Sequence, residues 1–125
     1  MKNPKYLDEA FAEVCRELLA MFLKKHKDYG KGNILDMGEL GIAFRISEKF
    51  NRIKHLLMAQ RKPENESIEE SWIDIAVYAI IAVLLRRGWF KRLEVSDIPD
   101  VIKITKKWGS PFRKNRWKIE LQLIK

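Results

Sequence analysis

The run from Ser71 to Leu85 reads SWIDIAVYAIIAVLL, and Asp74 is its only charged residue. A carboxylate carried into a helix core costs several kcal/mol unless it is paired, ligates a cation or takes up a proton. Glu70 precedes it by one turn. At about 100° per residue the two acids share a helix face with Tyr78, Ile81 and Leu85. Two carboxylates spaced i, i+4 can ligate one divalent cation, and without one they repel. Upstream, GIAFRISEKFNRIKHLL puts Arg45, Glu48, Arg52 and His55 on one helix face, with Lys49 next to Glu48. An acid among bases suits a metal–polyphosphate site, the acid holding Mg²⁺ and the bases holding phosphates. The same residues also have plainer uses. Ser67 and Glu70 fit a capping box, Glu48 and Arg52 fit an i, i+4 pair, and Asp74 fits a buried salt bridge to Arg45, Arg52 or another base.

Other chemistries find little material. His26 and His55 are the only histidines and Cys15 the only cysteine, so no nucleophilic triad, intrachain disulfide or cysteine metal knuckle is indicated. The glycines of DYGKGN lack the spacing of a phosphate-binding P-loop. The longest charge-free run, residues 75–85, is well short of the roughly 20 residues a bilayer needs. No apolar signal core precedes the first acids, so a cytoplasmic protein is expected.

These side chains need helices to hold them. Leu7, Phe11, Val14, Leu18 and Met21/Phe22 recur at helical spacing and predict a first helix over residues 8–27. KKHKDYGKGN follows as a loop or irregular connection, broken by Gly30 and Gly32. A second helix is expected over residues 35–60 with the stripe Ile42, Ile46, Phe50, Ile53 and Leu57, stopped ahead of Pro63. The third starts at the Ser67 cap, ends at Gly88, and is apolar nearly all round, which makes it the expected central helix. The fold class is therefore mostly α, an antiparallel bundle of three long helices over residues 1–95. With so much apolar surface on three helices, a homodimer or higher homo-oligomer is expected.

The 125-residue chain has a net charge of +8, unevenly placed. Residues 1–100 hold 17 Lys/Arg against 16 Asp/Glu, whereas residues 101–125 hold 8 Lys/Arg against Glu120 alone. Within this basic C-terminal extension, residues 96–125, Ile102, Ile104 and Trp108 and then Trp117, Ile119, Leu121 and Leu123 alternate at period two. That pattern fits a β-hairpin or an extended arm packed on the same domain or on a dimer partner. Trp108, Phe112 and Trp117 among bases also suit single-stranded nucleic acid, giving a non-enzymatic binding module as the alternative reading.

HKDYGKGN, RISEKFNRIKHLL and ENESIEESWIDIAVYAI, in that order, resemble the nucleotide modification associated domain 1 family across about residues 24 to 85. That family has a DYG element, an R-x-x-(D/E)-K-x-x-R helix and an E-S-x-x-(D/E)-x-x-x-D-x-x-x-Y-A helix. More distantly the chain is similar to the all-α nucleoside triphosphate pyrophosphohydrolases of the MazG and dimeric dUTPase group. The resemblance implies a Mg²⁺-dependent enzyme cleaving a deoxynucleoside triphosphate to monophosphate and pyrophosphate. It implies Glu48, Glu70 and Asp74 as metal ligands and Arg45, Lys49 and Arg52 facing phosphates. It further implies that Asp28, Tyr29 and Gly30 shape the mouth, that Tyr78 packs beneath, and that Lys27 and Lys31 add phosphate contacts. Two departures stand out. Arg45-x-x-Glu48 replaces the E-x-x-E of the pyrophosphohydrolases, and Glu70-x-x-x-Asp74 has one more spacer than their E-x-x-D. Glu66 or Glu39 is a candidate for a base, and no catalytic residue is assigned.

Overall fold

The computed structural model of the protein describes residues 3–96. Four helices follow in order: α1 (Leu7–Tyr29), α2 (Gly32–Ala59), α3 (Ile68–Arg86) and α4 (Trp89–Arg92). No strand occurs among the described residues, and the three long helices are those the apolar periodicity predicts. The expected hairpin or arm and the rest of the basic extension lie outside the described residues.

Residues 24–94 form one compact unit, and residues 3–23 belong to a second. In the second unit, Asp8 and Glu9 sit in the first turn of α1, where the helix dipole favours negative charge. The Lys5 backbone N–H donates to Glu9 at 3.2 Å, and Ala12 is buried.

The unit of residues 24–94 is built on α2 and α3. Arg52 meets Ser71, Lys49 meets Asp74 and Glu39 meets Arg86, so the two helices run antiparallel. Ile42, Ile53 and Leu56 of α2, Val77 and Ile81 of α3 and Phe90 of α4 form the buried apolar set. Full burial of each such side chain contributes about 1.5–3 kcal/mol. The buried edge of α2 differs from the expected stripe. Phe50 is 44% exposed and Leu57 56% exposed, while Leu56 is buried. The helix is rotated so that Lys49 and Arg52 enter the seam with α3. Burial of α3 is one-sided as well. Ser71, Val77 and Ile81 are buried, whereas Trp72, Ile80 and Val83 are each nearly half exposed.

Helix α3 begins as its sequence predicts. The Glu70 N–H donates to Ser67 Oγ at 3.0 Å, and the Ser67 N–H donates to Glu70 Oε2 at 3.3 Å, the reciprocal capping box. It ends where Gly88 turns left-handed at φ 72°. Phe90 of α4 then returns to the core and meets His26 edge-on at a centroid distance of 6.1 Å.

The connection between α1 and α2 is shorter than expected. α1 continues to Tyr29, and only Gly30 and Lys31 turn the chain. Lys31 is tied down by the Lys91 carbonyl at 3.1 Å and by Glu94 at 2.8 Å, which offsets the irregularity that two glycines suggest. No helix of the described residues is long and apolar enough to cross a membrane.

Helix α2 is interrupted at Gly38, whose φ of 66° and ψ of −178° lie in a region essentially reserved for glycine. The break re-aims the chain ahead of Ile42, which is 1% exposed. Gly38→Ala is expected to destabilise the protein by about 1–3 kcal/mol through backbone strain alone. Urea unfolding measures it, and an unchanged midpoint removes Gly38 as a strained position.

Candidate functional site

At the α2–α3 seam the helices supply charge from both sides. Lys49 projects from the inner edge of α2 and places Nζ 2.8 Å from Asp74 Oδ2. Lys25, in the last turns of α1, places Nζ 3.4 Å from Asp74 Oδ1. Both oxygens of the one carboxylate in the α3 apolar run are therefore met by ammonium groups from two other helices. Lys49 reaches further, to Glu66 Oε1 at 3.3 Å and Oε2 at 3.4 Å, just ahead of the α3 cap. The Asp74 side chain is 16% exposed and that of Lys49 23% exposed, while Lys25 is about half exposed. The cluster is set into the seam and opens at the Lys25 side.

Arg52 anchors this arrangement from the next turn of α2. Its Nη1 donates to Ser71 Oγ at 2.7 Å and its Nη2 donates to the Glu66 carbonyl. Ser71 is fully buried, so its hydroxyl depends on that guanidinium. The planar fork of arginine holds the α3 start and the Glu66 backbone at once, which a lysine cannot do. Arg52 is thus engaged inside the protein rather than turned outward for phosphate.

The charges answer to their surroundings. Burial raises the Asp74 carboxyl, but the hydrogen bond from Lys49 and the charges of Lys25 and Lys49 outweigh it and hold the group below the usual aspartate range. Burial lowers the Lys49 ammonium, yet hydrogen bonds and charge from Asp74 and then Glu66 leave it above the usual lysine range. Asp74 is therefore ionised and paired, the first of the three outcomes open to a carboxylate in this helix. Its partners are bases other than Arg45 and Arg52, namely Lys49 and Lys25.

The other expected site residues are placed as follows. Arg45, Glu48 and His55 are exposed on α2, and Tyr78 is half-buried one turn after Asp74. Lys27, Asp28, Tyr29 and Gly30 are exposed at the end of α1 and its turn. Lys31 is held by α4 and Glu94. Glu70 is committed to its capping box, and Glu39 pairs with Arg86 at 2.6 Å. Lys25 and Ser71 were not singled out by the sequence. Continuing α1 through the basic run 24–27 brings a lysine toward the α3 acid, but spacing does not choose among Lys24, Lys25 and Lys27.

A Mg²⁺ ion requires several oxygen ligands at about 2.0–2.1 Å in near-octahedral geometry. Among the described residues no three His, Cys, Asp or Glu side chains are grouped to hold a metal ion. Glu48, Glu70 and Asp74 are not brought together as such a set, and both Asp74 oxygens already face lysines. As arranged, these residues do not fit the ion.

Residues 25–85, which contain Lys25, Lys49, Arg52, Glu66, Ser71 and Asp74, match the family model of nucleotide modification associated domain 1. No curated protein and no solved structure gives a match to the chain.

Two predictions come from this geometry. Arg52→Ala leaves the buried Ser71 hydroxyl and the Glu66 carbonyl without their donor and is expected to cost about 1–3 kcal/mol in urea unfolding. A cost near zero shows that the anchor is dispensable. Because Asp74 is depressed in the folded state, its pairing stabilises above the unfolded aspartate pKa of about 4 and is lost as pH falls through the depressed value. Lys49, being raised, contributes below the usual lysine range and loses its contribution as pH climbs through the raised value. The stability gap between wild type and Asp74→Asn therefore narrows below about pH 4. A gap that stays constant down to about pH 3 contradicts this pairing.

Proposed function

We propose that this chain, whose residues 25–85 belong to the nucleotide modification associated domain 1 family, binds a nucleoside polyphosphate by its phosphates at the Lys25–Lys49–Asp74 centre. The observation that carries the reading is the convergence of Lys25 and Lys49, from different helices, on one carboxylate. A phosphate group offers the same anionic oxygens in a similar space and can take the place of that carboxylate. Ammonium groups are suited to phosphate as compact charges with three donors. Lys49 also lies in a partly sheltered seam, where its charge is less screened than on an open surface. The exposed Lys25 end is the side open to a ligand.

The reaction implied by the resemblance is cleavage of a deoxynucleoside triphosphate to monophosphate and pyrophosphate. On this reading Lys25 and Lys49 neutralise negative charge on the phosphates, as cations do in phosphoryl-transfer sites. Arg52 orients the seam without touching the ligand. Glu66, the second partner of Lys49, is released when phosphate arrives and is then an acid of the cluster free to act on water.

The test is calorimetric titration of each of the common deoxynucleoside triphosphates into wild type and Lys49→Ala. Loss of one charge-assisted contact weakens binding roughly 10- to 100-fold. Equal affinity in the two proteins excludes the seam as the phosphate site. Pyrophosphate release with Mg²⁺ in the same buffers asks whether binding leads to cleavage, and activity that survives in Lys49→Ala places the chemistry elsewhere.

A further inference from the structure

On that reading of the seam as a phosphate site, we infer that Asp74 determines its specificity: the Asp74 carboxylate already sits where a ligand phosphate must sit, so binding selects anions that out-compete it. Both of its oxygens are in use, Oδ1 by Lys25 at 3.4 Å and Oδ2 by Lys49 at 2.8 Å. Lys49 is shared again with Glu66 at 3.3 Å. The cluster thus sets two ammonium groups against two carboxylates and is neutral before a ligand arrives. Arg52 adds no spare charge, since its two ends are committed to Ser71 and to the Glu66 carbonyl.

A single phosphate group arriving here exchanges one anionic partner of Lys25 and Lys49 for another. Asp74 cannot leave, because α3 holds its backbone between the buried residues Ser71 and Val77. It stays near the displaced position and repels the newcomer. A chain of two or three phosphates carries more charge and more oxygens, so it engages both lysines while its far end stands away from Asp74. The carboxylate therefore acts as a threshold that disfavours monophosphates and inorganic phosphate relative to di- and triphosphates. A protein that meets a nucleoside triphosphate among abundant monophosphate needs that discrimination, which two lysines alone supply weakly.

Isothermal titration of inorganic phosphate, pyrophosphate and tripolyphosphate into the full chain, in buffer with a metal chelator, tests the inference. Wild type is expected to bind tripolyphosphate most tightly and phosphate least. Asp74→Asn is expected to bind all three more tightly, by roughly tenfold for phosphate and less for the longer anions, so that the ladder compresses. Wild type that binds, with Asp74→Asn equal or weaker for every anion, overturns the role given to Asp74 and leaves the phosphate site standing. Failure of both proteins to bind any of the three overturns the phosphate site and the inference together. Thermal unfolding of Asp74→Asn is run alongside. Should that variant not fold, Glu66→Gln, which frees Lys49 of its other carboxylate, carries the same test with a smaller expected gain. No gain in Glu66→Gln then counts against the inference.

Discussion

A carboxylate drawn from water into a helix seam has to be met by positive charge, and the α2–α3 pair is organised around meeting that demand. Asp74 enters the seam because the rest of its stretch of α3 is apolar. Lys49 follows it from α2 and Lys25 from α1. The rotation of α2 that brings Lys49 inward also turns Phe50 and Leu57 partly outward. The ion pairing and the choice of buried edge are thus one structural decision.

The pairing is held in place by hydrogen bonds to a hydroxyl and to backbone groups rather than by further ion pairs. Arg52 spans Ser71 and the Glu66 carbonyl, and the capping box of Ser67 and Glu70 sets where α3 begins. These contacts fix the register of the two helices one turn from Asp74. Glu66 sits at the joint, its carbonyl serving Arg52 and its carboxylate serving Lys49. A ligand that draws Lys49 away from Glu66 therefore acts beside the anchor that orders the start of α3.

The match of residues 25–85 to the nucleotide modification associated domain 1 family model and the lysine–carboxylate cluster in the same residues point to one region of the molecule. The arrangement differs from a carboxylate cage for a cation. The acids that spacing suggests as a cage are spread between a helix cap, an exposed face of α2 and a lysine-paired seam. Both oxygens of Asp74 face lysines.

Much of this was legible from residue order. The three long helices, the Ser67 cap, the Gly88 stop, the isolation of Asp74 and the family resemblance follow from periodicity, capping chemistry and motif spacing, all of which act over a few residues. What spacing leaves open is rotation and reach. Periodicity names a face of α2 but does not say whether Lys49 or Arg45 turns toward α3, since both lie at the edge of the stripe. Nor does it say which lysine of the basic run 24–27 at the end of α1 reaches the α3 acid. The sequence alone established that Asp74 needs a partner. Only the packing of three helices chose the lysines, because a long-range ion pair depends on which faces are buried together and not on the chemistry of either segment by itself.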